Sequence, residues 1–315
     1  MNAPAREYLR DAFREDERFL WGLCYRMTGS AADADDLVQD TFVRAIERPP
    51  SNVDDPLRPW LVRVAVNLSR DHLRRRRRSP YRGEWLPSPI ETDEEALPAY
   101  EPTLDGHLTT EGRYDLMESV SYAFLVALEA LTPSQRAVLL LRDVFGYSVR
   151  ESADALGMSE PNVKTTHHRA RRAMAGYERV NHFPSPEVRQ RHQRALEQFV
   201  TSLAAQDVPA IESLLAENVV SFSDGGGVYL AALNPVYGRK RVMRLFSKLT
   251  QKRPIGAAEM RLLNGLPALA ITFADGHPRL ASRIVMRCDI DERDRITALH
   301  VVLAPDKLTK IRFPS

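Results

Sequence analysis

The chain has 315 residues, more than one ordinary domain core of about 100–150 residues accommodates, so two or three domains are expected. Hydrophobic residues make up 43% and charged residues 27%; no apolar run is long enough to cross a bilayer and the amino terminus is too charged for a signal peptide, which predicts a cytoplasmic protein without a membrane partner. The net charge is only +2, but it is unevenly distributed, and the two cysteines, Cys24 and Cys288, lie in unrelated apolar stretches, so neither a metal nor a cofactor is expected.

Two amphipathic helical patterns span residues 15–48. Apolar residues recur at i, i+1, i+4 and i+5 in both, which predicts a pair of packed helices. A Thr-Gly-Ser break at 28–30 separates them, and Asp33 and Asp36 lie in the opening turn of the second, where the helix dipole favours acids.

A third helix is predicted from about residue 56 to 78, with an apolar stripe on one side and a cationic face on another. The apolar stripe consists of Trp60, Leu61, Val64 and Leu68. The polar face consists of Arg63, Asn67, Arg70, Asp71, Arg74 and Arg77. A solvated arginine run is the alternative, but this face starts three turns before the terminal arginine block, which favours a surface held against a polyanion. Trp60 suits core packing or stacking on a base.

Residues 79–115 have the composition of a linker, with five prolines and nine acidic residues against two arginines. Within this linker, residues 85–89 form an apolar island of sequence Trp-Leu-Pro-Ser-Pro. An apolar island in solvent costs free energy unless something covers it, so we expect it to dock on a domain.

From residue 116 the helical period returns, first in a helix to about Leu131 and then in one opened by Thr132. Residues 148–174 predict a helix-turn-helix, with a turn at 157–159 and Ser159 as the cap of the second helix. In this second helix Val163, His167, Ala170 and Met174 form the inward face. The candidate DNA contacts on the other faces are Asn162, Lys164, Thr165, His168, Arg169 and Arg172, with Arg171 on the flank. The alternative is an ordinary helical hairpin with a solvated basic face.

Residues 187–315 change to an α+β pattern, with helices near 187–205, 208–216 and 238–251 and five β-like runs. Asp224 and the three glycines after it predict a tight turn in which glycine supplies positive φ. Asp224, His277 and His300 are also candidates for acid/base chemistry, although no spacing pairs His277 with a carboxylate.

Three of these segments together resemble the extracytoplasmic-function sigma factors of bacterial RNA polymerase: the helix pattern from Asp33, the Trp60 helix with its arginines, and Leu131-Thr-Pro-Ser-Gln-Arg followed by the helix-turn-helix. The resemblance covers roughly residues 10–178. It implies that the partners are core polymerase, at the clamp of the β′ subunit and the β flap, and promoter DNA, both duplex and melted. It also implies that the 60–78 helix reads the −10 element and the 159–174 helix reads the −35 element. The implied polymerase contacts are Asp33, Asp36, Gln39, Asp40 and Phe42.

A narrower resemblance links the rest of the chain to sigma factors that carry a SnoaL-like domain in place of a separate anti-sigma protein. Three short motifs carry it, and it implies an interdomain regulatory role for them. Their residues are Trp85, Leu86, Pro87, Asp224, Gly225, Gly226, Gly227, Pro305, Asp306, Lys307 and Leu308.

The predicted architecture is therefore multidomain: two all-α domains, 1–78 and 116–180, joined by the acidic linker 79–115, and a cone-shaped α+β SnoaL-like domain at 187–315. The predicted function is promoter recognition and initiation, modulated in cis by the last domain. A response-regulator-type activator that binds duplex DNA alone and a SnoaL-type isomerase or cyclase tethered to DNA remain as alternatives. An unidentified small ligand in the pocket of the last domain is left open.

Overall fold

The computed structural model describes residues 3–48, 57–78, 81, 83–92, 116, 118–178, 184–274 and 279–314. The chain divides into two compact units: Met1–Pro80 with Glu94–His182, and Tyr81–Asp93 with Phe183–Ser315. Both groups of predicted DNA-binding helices thus share the first unit, whereas the apolar island belongs to the second. Among the described residues, no helix is long and apolar enough to span a membrane.

Three helices open the first unit: α1 (Ala3–Thr28), α2 (Ala31–Glu47) and α3 (Leu57–Arg78). The predicted break between α1 and α2 is present, and Ser30 caps α2 by accepting a hydrogen bond from the Asp33 amide at 3.3 Å. The three helices pack on one another through fully buried side chains, including Phe19, Leu23, Met27 and Leu61. This core also buries Cys24, whose pKa burial raises to about 12.

Four more helices of the first unit lie within its described residues. They are α4 (Tyr122–Leu128), α5 (Pro133–Leu139), α6 (Val149–Leu156) and α7 (Glu160–Glu178), with a 3₁₀ turn at Glu118–Val120 and a π turn at Leu140–Val144. The helix expected from 116 to about Leu131 begins later, because a 3₁₀ turn precedes Ser121, which caps α4 by accepting a hydrogen bond from the Phe124 amide at 3.2 Å. After Leu128 the chain tightens into i→i+3 hydrogen bonds, such as Leu131 N to Leu128 O at 3.0 Å. Thr132 and Gln135 then form a capping box that starts α5.

The helix-turn-helix is formed by α6 and α7, with Gly157 in the left-handed conformation between them (φ 61°). Val163, Ala170 and Met174 of α7 are buried as its inward face. His167, on the same face, and Arg171 both bond the buried Asp143: His167 Nε2 lies 2.9 Å from Asp143 Oδ2, and Arg171 Nη2 lies 2.6 Å from Oδ1. This ion cluster ties α7 to the π turn.

The helices of the two predicted all-α domains contact each other inside the first unit, since α3 packs against α5 and α6. The fully buried Arg136 of α5 donates to Met27 O at 2.8 Å and pairs with Glu129 at 2.8 Å. Arg76 of α3 bonds Thr28 O and the same Glu129. Burial opposes the ionisation of Glu129, but Arg136 and Arg76 outweigh it and hold the pKa of Glu129 below its ordinary value.

The second unit is built on a six-stranded sheet with the order β2-β1-β6-β5-β4-β3. Its strands are β1 (Leu215–Asp224), β2 (Val236–Tyr237), β3 (Ile255–Leu263), β4 (Leu266–Phe273), β5 (Arg283–Ile290) and β6 (Ile296–Val302). The pair β1–β6 is parallel and the others are antiparallel. The predicted β-like runs are present; β2 is a short addition.

Helices cover one face of this sheet: α8 (Pro186–Ala204), α9 (Val208–Leu214) and α10 (Arg239–Lys252). Between helices and sheet the interior is filled by apolar side chains, among them Phe199, Phe246, Met286 and Leu299. A 3₁₀ turn at Pro305–Leu308 follows β6.

We expect Asp143→Asn to lower the free energy of local opening of α7 by about 1.5–3 kcal/mol, the range for hydrogen bonds to a charged group. Burial resists the ionisation of Asp143, but its bonds to His167 and Arg171 lower its pKa, so this stabilisation is present above the ordinary aspartate pKa and is lost as pH falls through the lower folded value. Hydrogen exchange of α7 amides at neutral pH measures the effect. Asp154→Asn, an exposed aspartate of α6, is the matched control; equal exchange in both variants contradicts the assignment.

Candidate nucleic-acid interface

Helix α7 presents its predicted DNA-reading face to solvent. The exposed residues of this face are Asn162, Lys164, Thr165, His168, Arg169 and Arg172. Thr165 Oγ1 donates to the Pro161 carbonyl at 2.9 Å, which orients the hydroxyl. Arg171 was expected on the cationic flank, but it bonds Asp143 and thereby stabilises the helix. The face therefore combines hydroxyl, imidazole and guanidinium groups on a helix long enough to enter a major groove.

The cationic face of α3 is divided between solvent and the neighbouring helices. Arg63 and Arg74 are exposed, and Arg74 bonds the exposed Asp71 at 2.9 Å. Arg70 is half-buried and donates to Ser134 Oγ at 3.1 Å and weakly to Asn67 Oδ1. Burial, with a contribution from Arg74, lowers the pKa of Arg70.

The carboxyl end of α3 contacts the segment between α4 and α5. Arg77 donates to the Leu131 carbonyl, and Arg76 bonds Glu129. Part of the cationic face that was predicted to meet DNA is therefore occupied by the chain's own helices. Trp60, on the apolar stripe near the start of α3, is half-buried.

Helix α2 has an exposed face, and only some of the predicted polymerase contacts lie on it. Asp36, Gln39 and Asp40 are exposed, but Phe42 is 7% exposed and packs edge-on against Phe13, with ring centroids 4.1 Å apart. Phe42 supports the helix from inside, because its position falls on the buried stripe. Asp33 is half-buried and bonds His72 at 3.2 Å; burial opposes its ionisation, but His72 lowers its pKa.

Val43 and Ile46 were missed as surface residues, and they are 44% and 54% exposed. At about 100° per residue they lie on the same face of α2 as Gln39 and Asp36. Two apolar side chains beside acidic and amide groups form a mixed surface typical of a protein contact. The sequence pattern gave no clear signal, because Ile46 lies at the edge of the apolar stripe and such a position becomes core or surface according to which helix covers it.

The apolar island is held by a buried ion pair in the second unit. Lys307 Nζ lies 2.6 Å from Asp224 Oδ2 and 2.6 Å from the Leu86 carbonyl, and both charged side chains are almost fully buried. Asp224 also accepts the Leu86 amide at 2.8 Å, the Gly226 amide at 3.0 Å and the Tyr81 hydroxyl. Four donors therefore saturate Asp224, which suits a docking role better than proton transfer.

Aromatic rings complete this docking cluster. The Lys307 ammonium lies 4.4 Å from the Trp85 ring centroid and 5.0 Å from that of Tyr81. Leu86 and Pro87 are buried beside them, whereas Asp306 and Pro305 of the 3₁₀ turn are exposed. Lys307 thus contacts the first ring of the island, Trp85, and Tyr81, which precedes the island in sequence.

The glycine turn leaves no space for side chains. A Cβ on Gly225 would lie 2.7 Å from the Tyr229 carbonyl oxygen, and one on Gly226 would lie 2.9 Å from Cβ of Ala304. Gly226 and Gly227 have φ of 60° and 76°, the left-handed region that favours glycine. The turn therefore places Asp224 directly beside the residues that precede Lys307.

The linker is anchored a second time just after the apolar island, at residues 90–92. The Thr92 amide donates to Leu262 O at 2.8 Å, and the Ile90 amide donates to Asn264 Oδ1 at 3.1 Å. Glu91 pairs with Arg312 of the carboxy-terminal tail. Residues 86–92 are all buried, so this stretch is an integral part of the second unit.

The acid/base candidates are not brought together. His300 pairs with Asp289 at 2.9 Å and stacks on Phe222, and burial lowers its pKa although Asp289 opposes this. Asp224 is held by Lys307, and His277 lies outside the described residues. His300 is thus a paired sheet residue.

Two family models match the helical segments of the chain. Sigma-70 region 2 matches residues 12–79 and sigma-70 region 4 matches residues 121–174. The ECF RNA polymerase sigma factor SigJ of Mycobacterium tuberculosis is 31% identical over 307 residues, which cover 94% of this chain and 92% of SigJ. The chain belongs to the extracytoplasmic-function sigma factors.

Two further similarities cover both units. SigG of Mycobacterium tuberculosis is 34% identical over 280 residues, covering 78% of this chain and 71% of SigG. The crystal structure of SigJ matches with a TM-score of 0.67 and 27% identity, covering 96% of this sigma factor and 99% of SigJ. The fold of this sigma factor is therefore two sets of helices followed by an α+β, SnoaL-like sheet domain, as the sequence predicted.

We expect Asp224→Asn to release residues 84–92 from the second unit, because it leaves the buried Lys307 ammonium without its counter-charge. Amide exchange in this stretch should become at least ~10-fold faster, since losing one partner of a buried ion pair costs several kcal/mol. Asp306→Asn, an exposed acid of the adjacent turn, should leave the exchange unchanged. Exchange as slow in Asp224→Asn as in the unsubstituted chain would show that the ion pair does not hold the linker.

Proposed function

We propose that this sigma factor is a dissociable subunit that gives core RNA polymerase its promoter specificity, acting in the cytoplasm where transcription takes place. The observation that carries the proposal is the pair of surfaces in one chain: a cationic helix, α3, and a helix-turn-helix with an exposed reading face on α7. An activator that binds duplex DNA alone has no use for the first surface. Promoter melting requires a cationic surface for the single strand as well as a helix for the groove.

In this proposal the exposed face of α2, with Asp36, Gln39, Asp40, Val43 and Ile46, binds the clamp of the β′ subunit. The polar face of α3 reads the −10 element, with Trp60 available to stack on a base. The second set of helices contacts the β flap, and α7 reads the −35 element through Thr165, His168 and Arg172.

The packing of α3 on α5 bears on this mechanism. Arg70, Arg76 and Arg77 bond groups of residues 129–134, so α3 cannot offer all its cations to DNA in this arrangement. Binding to the polymerase must exchange these contacts for phosphates, which requires α3 and α5 to separate.

We infer that the α+β unit regulates initiation in cis and is not a catalyst. Its docking cluster holds one end of the linker between the two sets of helices. The length of free linker limits how far those helices can separate. Docking or release of the linker therefore changes the distance between promoter elements that the two sets of helices can span. A saturated Asp224 and a His300 paired with Asp289 give little support to the isomerase alternative.

The test of this function is transcription in vitro with core polymerase, the full chain and a genomic fragment library. We expect start sites to cluster at one promoter sequence with core and the chain together, and no sequence-specific duplex complex with the chain alone, because the −10 contact needs a melted strand. Tight, specific duplex binding by the free chain would favour the activator alternative.

Arg172→Ala should relax the sequence preference at the −35 position that it contacts, by about 1–3 kcal/mol, because a good base contact is worth that much. Lys164→Ala should instead weaken binding of all sequences and lower the salt slope by about 1, the signature of a phosphate contact. Competition assays with single-base promoter variants separate the two effects. An Arg172→Ala profile that matches that of Lys164→Ala would show that the reading face is rotated.

Replacing Arg63, Arg70 and Arg74 by Ala should reduce open-complex formation and lower its salt slope by about 2, at ~0.7 per single-strand phosphate contact. Core binding, measured without DNA, should be unchanged because α2 carries it. Permanganate reactivity of the melted strand reports the open complex. Unchanged melting would mean that these arginines only keep the helix solvated.

A further inference from the structure

Helix α10 of the second unit carries a cationic face that the proposed function does not use. The 14 residues Arg239–Lys252 contain six lysines and arginines and no acidic residue. Surface helices ordinarily mix both signs of charge. A helix of one sign only is therefore a departure that the fold itself does not require.

The exposed cations of α10 lie on one side of the helix. They are Lys240, Arg241, Arg244, Lys248 and Lys252, and each is exposed. At about 100° per residue they fall within an arc of roughly 120°, opposite the buried Val242 and Phe246. They extend over about 18 Å of helix at 1.5 Å per residue.

This face also holds the charge excess of its domain. Residues 183–315 contain 19 lysines and arginines against 13 acidic residues. Six of the 19 are in α10, so the remainder of the domain is balanced at 13 of each sign. The concentration of positive charge on one helix indicates binding to a polyanion. Charge that serves only solubility could be dispersed over the domain.

The five cations have no ion pair within the described ranges 184–274 and 279–314, whereas several other cations of the domain do. Arg191 pairs with Asp294, Arg295 with Asp291 and Arg312 with Glu91. In α10 it is Arg239, outside the arc, that lies 3.9 Å from Glu212. The face is thus available to phosphates without breaking an internal contact.

We propose that the α10 face, formed by Lys240, Arg241, Arg244, Lys248 and Lys252, is a third DNA contact, which binds the phosphate backbone of duplex promoter DNA without reading its sequence. The inference rests on the proposed function, because the other helices bring the chain to promoter DNA. Duplex DNA offers one phosphate charge per ~1.7 Å of axis, so an 18 Å cationic row can meet several at once. Long flexible lysines suit backbone contacts, since they carry no planar group for base edges.

The test uses holoenzyme assembled from core polymerase and the full chain, with the triple variant Lys240→Gln, Arg244→Gln, Lys248→Gln. The probe is a 60-bp duplex selected from random-sequence DNA for binding by the unsubstituted holoenzyme. We expect the slope of log K against log salt to fall in magnitude by about 2 to 3 in the variant, at ~0.9 per duplex phosphate contact. The sequence preference should not change.

Two controls accompany this variant. Replacing Arg189, Arg194 and Arg293 of the same domain by Gln removes as much charge elsewhere and should leave the slope unchanged. Lys240→Arg with Lys248→Arg keeps the charge and should also retain the slope, which separates a contact from a folding defect.

A slope equal to that of the unsubstituted holoenzyme overturns the proposal. So does a variant that binds core polymerase more weakly without DNA while its slope is unchanged, because the partner is then an acidic protein surface. If the unsubstituted holoenzyme selects no duplex at all, the proposed sigma function fails first and this contact fails with it.

Discussion

The ion pair between Asp224 and Lys307 is the interaction on which the arrangement of the second unit depends. Two charges that are almost fully buried are costly to desolvate, and each is tolerated only because the other is 2.6 Å away. The same two groups bond both the amide and the carbonyl of Leu86. The linker is thus joined to the sheet domain by hydrogen bonds to a buried ion pair. Buried charges must keep these partners, so the contact is specific rather than merely apolar.

A second set of buried charges organises the first unit by the same logic. Arg136 is 2% exposed and is compensated by Glu129, which also pairs with Arg76 of α3. A carboxylate shared by two arginines holds helices from both predicted all-α domains together. Arg76 lies in the arginine block of α3. The cationic surface that suits DNA therefore also makes contacts between the two sets of helices in the first unit. Competition between a carboxylate and phosphates for the same guanidinium groups is then inherent in the structure.

These two clusters relate fold to regulation. In the function proposed above, the helices of the first unit separate so that α3 can offer its full cationic face, and the length of free linker limits that separation. Residues 86–92 of the linker are buried in the second unit, so in this proposal they do not contribute to the span between the two sets of helices. The proposed regulator would act by changing the length of free linker and the access to the α3 surface.

The sequence by itself determined most of the helices and strands, because period and caps are local properties: Ser30, the Thr132 box and the Gly157 turn can be read from neighbouring residues. It also determined the family, since the motifs of both sigma regions are contiguous. It could not determine where charged side chains go once distant segments meet. Arg70 bonds Ser134, 64 residues away in sequence, and Arg171 bonds Asp143, 28 residues away. Lys307 bonds Asp224, which is 83 residues away. The burial of Phe42 and the exposure of Ile46 were also decided by tertiary packing, because the edge of an apolar stripe becomes core or surface according to which helix covers it.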